Sequence, residues 1–526
     1  MEEKIREKIQ EIGQEREKNR LGGGAKEIER QHGKGKLTAR ERVELLFDSG
    51  TFRELELWAQ PMRTGFDDVD ARSLPADAVV IGFGKVHGRW VYAYAHDFTE
   101  MSGTQSAVQH SKVTKAIDTA TKMMIPYVGI VDSAGIRIQD MMGEPTFRAP
   151  ISGYGIGETG SFMYSPPWAS GVIPQIALML GPQFAGSSYS PILKDFLIMR
   201  RSSEVYMALC SPPAIKDVTG EVVTYADIGS SEVHAEISGT CDLVVDSDEE
   251  GIGKTRELLS FLPSNYRERP PIIDTGDPST RRDEELLNLA EKRDMYEIIY
   301  RLIDNRHFFP IKPIYAKNII VGFARLNGQT VGMVANNPQV MQGAIDRDSS
   351  DKMARFIRFC DAFNIPLIFL VDSVGFLPSK EQEELGLERH AAKVPYAICE
   401  ATVPKITVYI GECSGYAELA MGTGPMGVDL TVAWPTAKVG FLDPELAVNT
   451  IYEKELKTAE NCEEVRKKRI EEFVQKYNNL YHAGARQLIQ DIIDPRDTRE
   501  QLSNALACFA NKEEVRPWKK HGNIPL

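Results

Sequence analysis

A stretch of this chain recurs 240 residues downstream, and that repeat constrains the fold more than any single motif does. Val80-Ile81-Gly82-Phe83 returns as Ile320-Val321-Gly322-Phe323, Gly88 as Gly328, Val91 as Val331, and Ile125-Pro126 as Ile365-Pro366. The correspondence is tightest at Val131-Asp132-Ser133-Ala134-Gly135 and Val371-Asp372-Ser373-Val374-Gly375. A period this long indicates a duplicated domain, not a solenoid of small repeats, and 526 residues suffice for two large cores. Two homologous halves imply two related sites, as a transfer reaction with two partners would use.

Each half reads strand, turn, strand, helix, strand. In the second, Asn318–Leu326 and Gln329–Val334 predict a hairpin around Asn327–Gly328. Ser350–Phe363 carries apolar residues at helical spacing, and Pro366–Val371 is a short apolar run suited to a sheet buried on both faces. The class is α/β. Upstream, a charged helix from Met1 ends near Gly22-Gly23-Gly24, and Thr38 is placed to cap a helix reaching Phe47. Pro263–Asp283, rich in Pro, Ser, Thr and charge, reads as a linker, so domains are expected over 1–270 and 271–526. The offset then falls to 230: Gly171-Val-Ile-Pro-Gln-Ile176 matches Ala401-Thr-Val-Pro-Lys-Ile406, and Gly181 matches Gly411. The first half therefore has ten additional residues, within the glycine- and aromatic-rich Met142–Trp168. They read either as a surface loop or as a segment reshaping a pocket.

The net charge of −13 argues against general nucleic-acid binding. No apolar run approaches the roughly 20 residues that span a bilayer, and Met1–Arg20 has no apolar signal core, so a cytoplasmic protein is expected. The seven cysteines are scattered without a C-x-x-C pair and read as reduced thiols. No G-x-S-x-G, H-E-x-x-H or Walker loop occurs, and no metal site is expected. Each of the nine histidines, His96 and His390 included, has a structural reading. What does recur is a strand running into a small-residue loop: Gly181-Pro-Gln-Phe-Ala-Gly-Ser-Ser188, then Gly411-Glu-Cys-Ser-Gly-Tyr-Ala417. Backbone N–H groups of such a loop can hold a developing oxyanion, and small residues let a carbonyl approach the main chain. Loops of this composition also occur where helices merely pack on sheets.

Around these loops the sequence resembles the carboxyltransferase subunits of biotin-dependent acyl-CoA carboxylases: the propionyl-CoA carboxylase β, methylmalonyl-CoA decarboxylase α and transcarboxylase large-subunit family. The matching stretches include Lys34-Gly-Lys-Leu-Thr-Ala-Arg-Glu-Arg42, Ala169-Ser-Gly-Val-Ile-Pro-Gln175, Val218-Thr-Gly-Glu221, Ala335-Asn-Asn-Pro338, Asp348-Ser-Ser-Asp-Lys352, Gly375-Phe-Leu-Pro378 and Glu400-Ala-Thr-Val-Pro-Lys-Ile-Thr407. Lys520-His-Gly-Asn-Ile-Pro525 also fits, and the resemblance runs from about Gly22 to Leu526.

The resemblance implies a tandem duplication of two crotonase-like domains assembled as a homohexamer, a trimer of dimers. The N-terminal domain would bind acyl-CoA and the C-terminal domain of a facing subunit carboxybiotin. No essential base is implied; two backbone oxyanion holes do the work, which accounts for the missing catalytic motifs. Gly186 and Ser187 would serve the thioester, with Ala134, Gly135, Ala185 and Leu419 lining the substrate site; Arg30, Lys34 and Lys36 are available to CoA phosphates, although a solvated face explains these three equally well. Gly375, Phe376, Gly415, Tyr416 and Ala417 would receive biotin. An Ala-Met-Lys-Met biotinylation site is missing, as is an ATP-binding glycine loop. Biotin is thus expected on a separate carrier protein, with a biotin carboxylase subunit or a membrane decarboxylase subunit as further partner and no insertion of this chain into the bilayer.

The loops depart from the family pattern. Gln183, Phe184, Ala185 and Ser187 differ from Gly-Pro-Cys-Ala-Gly-Gly-Ala, and Ser414, Tyr416 and Glu418 from Tyr-Gly-Gly-Ala-Tyr. Ala185 and Tyr416 restrict dihedrals that glycine would allow. These changes point to a shifted acyl pocket, or to drift, or to lost activity. Two other readings stay open. A biotin-independent crotonase-like lyase or hydratase would need a working carboxylate, for which Glu418 and Asp140 are the candidates. A non-catalytic scaffold would follow if Ala185 and Tyr416 close the holes.

Overall fold

The structure, a computed structural model, describes residues 1–142, 163–414, 416–440 and 442–526. It divides into two compact units, Met1–Glu268 and Arg269–Leu526. The first carries a seven-stranded sheet whose neighbours follow chain order: β1 (Arg53–Leu55), β2 (Val79–Val86), β3 (Arg89–His96), β4 (Tyr127–Val131), β5 (Gln175–Met179), β6 (Phe196–Arg200) and β7 (Leu243–Val245). The second repeats it with β8 (Phe309–Ile311), β9 (Ile319–Leu326), β10 (Gln329–Asn336), β11 (Leu367–Ser373), β12 (Lys405–Cys413), β13 (Leu430–Ala433) and β14 (Asp491–Ile492). In each sheet the first three strands are antiparallel and the rest parallel. An eighth strand of the second sheet, Lys438–Val439, lies beside Glu412–Cys413.

Local chemistry explains the repetition. The β2–β3 hairpin turns at His87–Gly88 (φ 50° and 76°) and β9–β10 at Asn327–Gly328 (φ 50° and 77°), the pair of positive dihedrals that matches the twist of a two-residue hairpin. β4, β5 and β11 are buried at every residue, as strands covered on both faces must be. The helix after each hairpin is capped by a side chain: Ser106 for Ala107–Met123 and Asp346 for Arg347–Ala362. The second helix begins three residues before the expected Ser350 because Asp346 accepts from the Ser349 N–H at 2.9 Å and sets the start. Each helix also sends one lysine into the backbone at its own end of the hairpin. Lys112 Nζ donates to Ala76 O and Val79 O, both at 2.6 Å. Lys352 Nζ, 240 residues on, donates to Lys312, Tyr315, Ala316 and Ile319 O at 2.7–3.2 Å. Burial pushes these ammonium groups down, to about 8 for Lys112 and about 7 for Lys352. The carbonyls compensate by lying along their N–H directions.

Candidate active site

Each candidate loop sits on a buried aspartate at the carboxyl end of the central strand. Asp132, at the end of β4, is fully buried and accepts from Lys36 Nζ at 2.7 Å, Arg42 Nη1 at 2.8 Å and Gln31 Nε2 at 3.2 Å. Arg42 also reaches buried Asp248 through Nε at 2.8 Å. Asp372, on β11, is held by the Arg293 fork and by the Glu412 N–H at 2.8 Å. The next strand passes so close that only glycine fits. A Cβ on Gly181 would stand 1.7 Å from Asp132 Oδ1, and one on Gly411 2.4 Å from Asp372 Oδ1. These aspartates anchor the loops that follow and are not free to act on a substrate.

The expected phosphate ligands divide here. Lys36 is buried against Asp132 and lies 4.7 Å above the Phe98 ring, so it serves the anchor and not a phosphate. Burial lowers its pKa although Asp132 opposes the shift. Arg30, Lys34 and Arg72 line a cavity of about 480 Å³ that also has Glu27 and Glu100 in its wall, beside Phe98, Met101 and Ser102. Lys34 pairs with Glu204 at 2.7 Å across a half-exposed surface.

From this cavity a chain of main-chain hydrogen bonds leads to the first loop. Ser102 O accepts from the Ala134 N–H at 3.0 Å, and the neighbouring Ser133 N–H donates to Pro182 O at 3.2 Å, three residues before Ala185. Gly135 takes φ 99°, and the Ser133 hydroxyl accepts from its N–H at 3.1 Å. Ala134 is exposed, so the backbone at the strand end is accessible. The loop itself is one tight turn, Ala185–Ser188, running into Tyr189–Ile192. Ala185 adopts φ 51°. Ser187 is buried, its hydroxyl turned back onto Phe184 O, while Gln183 Nε2 donates to Ser187 O at 3.0 Å. The side chains thus face inward and leave Ala185 and Gly186 on the accessible edge.

Beneath the turn lies a small chamber of about 10 Å³, bounded by Tyr94, His96, Gln105, Gln109, His110, Val113, Ser187 and Ser190. Burial holds both imidazoles neutral, pushing His96 down to about 3 and His110 to about 4. His96 Nδ1 accepts from the Asp132 N–H at 3.3 Å, so it fixes the anchor and does not face a substrate.

In the second unit, Gly375 mirrors Gly135 with φ 107°, its N–H likewise on a serine hydroxyl, Ser373, at 3.1 Å. Phe376 bridges to Ile345 as Ile136 does to Gln105. The Ser414 N–H donates to Ser373 O at 3.4 Å, and Tyr416 takes φ 66° at the head of Ala417–Ala420. The Ala417 N–H is committed to Ser414 O at 3.0 Å. Ala417 is buried, whereas Tyr416 and Leu419 are exposed. Gly415 lies outside the described residues, as does most of the Met142–Trp168 stretch. Of the two candidate carboxylates, Asp140 is buried against Arg137 at 3.3 Å and is raised to about 6 by that burial. Burial raises Glu418 as well. His390 pairs with Asp351 at 2.8 Å.

The family follows from the whole chain. Residues 30–524 match the carboxyl transferase domain. The chain belongs to the carboxyl transferase family. It is 42% identical over 524 residues to the methylmalonyl-CoA decarboxylase subunit alpha of Propionigenium modestum, covering 99% of each. It is 41% identical over 512 residues to the mitochondrial propionyl-CoA carboxylase beta chain of Sus scrofa, covering 96% of this chain and 91% of that one. Among solved structures it superimposes on transcarboxylase 12S, a hexamer assembly seen with methylmalonyl-coenzyme A and methylmalonic acid, at a TM-score of 0.92, 39% identity and 98% coverage of both chains. Both units are accordingly crotonase-like α/β domains, and the protein is a carboxyltransferase of the biotin-dependent acyl-CoA type. Among the described residues no group of three or more His, Cys, Asp or Glu could hold a metal, and no helix is long and apolar enough to cross a membrane.

The residue reading missed Asp132 and Asp372 as anchors although both stand in the repeated motif. Their partners are far away in sequence. It also missed Arg72 in the cavity beside Arg30 and Lys34, which no motif marks.

Proposed function

We propose that this carboxyltransferase moves CO2 between carboxybiotin, presented by a separate carrier protein, and the α- or vinylogous carbon of an acyl-CoA, working in the cytoplasm as a homohexamer whose facing copies complete each site. The observation that carries the reading is the continuous main-chain path from the cavity of Arg30, Lys34 and Arg72, through Ser102, Ala134 and Ser133, to the Ala185–Ser187 turn. Cations at one end suit the CoA phosphates as point charges. Backbone N–H groups at the other suit a thioester carbonyl that becomes an enolate oxygen.

Biotin, when bound, supplies the carboxyl group as its N-carboxylate. Of the residues expected to hold it, Gly375, Phe376, Tyr416 and Ala417 stand at a backbone-rich end of the second sheet, with Gly415 outside the described residues, and a ureido carbonyl is a neutral acceptor that such donors fit. The Ala417 N–H must then be shared with Ser414 O. Gly186 and Ser187 hold the thioester oxygen, Ala134 and Gly135 steady the ligand with main-chain groups, and Leu419 borders the acyl group. The exposed edge of Ala185–Gly186 argues against a closed hole and so against a pure scaffold. Asp140, bound to Arg137, is a poor general base for a biotin-independent lyase.

The test is direct. The purified chain is incubated with free biotin and malonyl-, methylmalonyl-, glutaconyl- and aryl-substituted acyl-CoA thioesters, and decarboxylation is followed. Turnover that requires biotin is expected; turnover indifferent to biotin would replace this reading with the lyase.

A further inference from the structure

The two halves build the same turn and then surround it differently. In the first, Gln183–Phe184 pairs in parallel with Met207–Ala208, Gln183 opposite Met207. In the second, Glu412–Cys413 pairs with Lys438–Val439, Cys413 opposite Val439. Setting Gln183 on Cys413 by the 230-residue offset places Phe184 on Ser414. Setting Met207 on Val439, their bridged partners, places Tyr206 on Lys438. Neither position in the second half carries a ring, so the shared fold does not require one.

In the first half Phe184, Tyr206 and Tyr225 form a three-ring cluster with centroids 4.7–4.8 Å apart, Tyr206 and Tyr225 stacked at 12°. Its geometry is fixed locally. Thr224 and Asp227 cap the helix Tyr225–Gly229 reciprocally, and Gly229 lies so close to the Met207 carbonyl that a Cβ there would stand 2.5 Å from the oxygen. The cluster is not closed over: Tyr225 remains 38% exposed, and Phe184 and Tyr206 are partly accessible. Phe184 directly precedes Ala185. On the accessible edge of the turn, Met163 Cε lies 3.9 Å from where a Cβ on Gly186 would stand. The α-carbon of a thioester is bonded to the carbonyl carbon that the proposed function puts at this turn, so its substituent would lie within reach of the residues that flank Ala185 and Gly186.

Aromatic rings gain from offset or edge-to-face contact with another ring beyond what area alone gives, and a thioether is a favourable neighbour for a ring edge. We propose that the Phe184–Tyr206–Tyr225 cluster selects acyl-CoA thioesters whose α-substituent is planar, an aryl or arylmethyl group, over small saturated substituents. The inference rests on the carboxyltransferase reading above and names the substrate class of that same site.

The test compares biotin-dependent decarboxylation of benzylmalonyl-CoA and methylmalonyl-CoA by the purified full chain. The expected kcat/KM ratio favours the benzyl compound by about ten-fold or more, the scale of one good aromatic contact. Phe184→Ala and Tyr225→Leu each lower that ratio by about five-fold or more, and Tyr225→Phe, which keeps the ring, restores it. Taking a ratio on one preparation cancels a general loss of folded enzyme, and thermal melting of each variant confirms the fold. A methylmalonyl preference in the unaltered protein, an unchanged ratio in both ring-removing variants, or a gain of benzyl turnover in Phe184→Ala would each overturn the proposal while leaving the carboxyltransferase reading intact. No biotin-dependent turnover of either compound would overturn both.

Discussion

The two halves share strand order, hairpins, caged lysines and a buried aspartate under a small-residue turn, yet they stabilise that aspartate by different means. Asp132 is surrounded by Arg42, Lys36 and Gln31, all from the segment that precedes the first sheet, and Arg42 is itself fully buried. Asp372 relies on Arg293, whose side chain is 41% exposed, and on a backbone N–H. The chamber beneath the first turn has two imidazoles and two amides in its wall, whereas the 240- and 230-residue offsets put Val334, Asn336, Ile345, Ser349, Ser350, Met353, Ala417 and Ala420 at the matching places. A common scaffold thus tolerates two interiors. The first sets two neutral imidazoles beside its charged anchor, whereas the second sets an amide and two serines among small and apolar groups.

The largest effect expected from this difference is on stability. Arg42→Ala leaves Asp132 and Asp248 buried without their shared partner and should destabilise the first unit by about 3–5 kcal/mol. Arg293→Ala removes a partner whose own side chain is 41% exposed, so water can enter beside the buried Asp372, and the loss should be smaller, about 2 kcal/mol. Urea titrations of both variants measure the pair. Equal losses would show that the halves are not anchored differently.

Acid should separate the halves next. The folded pKa of His96, about 3, lies below its unfolded value near 6.5, so the unfolded chain binds more protons as pH falls through that window. Stability is therefore full above pH 6.5 and is lost progressively below it, by on the order of 2 kcal/mol at pH 5. The second half has Asn336 at the matching position, where its Oδ1 accepts from the Asp372 N–H at 3.2 Å as His96 does from Asp132. His96→Asn transplants that solution and should flatten the acid side of the stability curve, leaving the part due to His110. Melting temperatures between pH 7 and pH 5 provide the check. An unchanged slope would mean that His96 is already protonated in the fold.

What was legible in the sequence follows the range of each interaction. The duplication, the Asn327–Gly328 hairpin and the Thr38 cap are local or periodic, and the structure has all three. The glycines opposite the aspartates were visible as repeated letters, but their reason, a carboxylate pressed against the next strand, is a three-dimensional fact. Lys36 was read as a phosphate ligand because its partner Asp132 lies 96 residues away. At the site, small residues marked both turns, but not that the Ala417 N–H is already donated to Ser414 O. The ring cluster went unseen since Tyr206 and Tyr225 come from separate elements. Phe184, a large ring in a small-residue loop, was the available signal.

Ligand binding should report on the first half alone. Replacing Arg30 and Lys34 together by Ala removes two cations from its cavity and is expected to raise KM for acyl-CoA about ten-fold with little change in kcat, since phosphate contacts are made equally in ground and transition states. High salt should shrink the difference. KM for free biotin should stay put, and a parallel rise in it would break the assignment of the cavity to one partner only.

The smallest expected effect tests how the two turns are strained. Aligned by the 230-residue offset, Ala185 faces Gly415 and Gly186 faces Tyr416, so each turn has one residue with a Cβ at positive φ, displaced by one position between halves. A left-handed non-glycine residue costs roughly 1–2 kcal/mol, and glycine returns part of that gain through the entropy of the unfolded chain. Ala185→Gly should therefore stabilise the protein by about 0.5 kcal/mol. Tyr416→Gly should gain less, because the tyrosine is only 47% exposed and the burial of the rest is lost with it. The catalytic consequence runs the other way. If the strained residue preorganises the N–H groups, glycine loosens them, and kcat falls about two-fold for acyl-CoA turnover while KM holds. Loss of stability in Ala185→Gly would mean that its methyl is packed and the turn relaxed, and the displacement between the halves would then reflect packing, not strain.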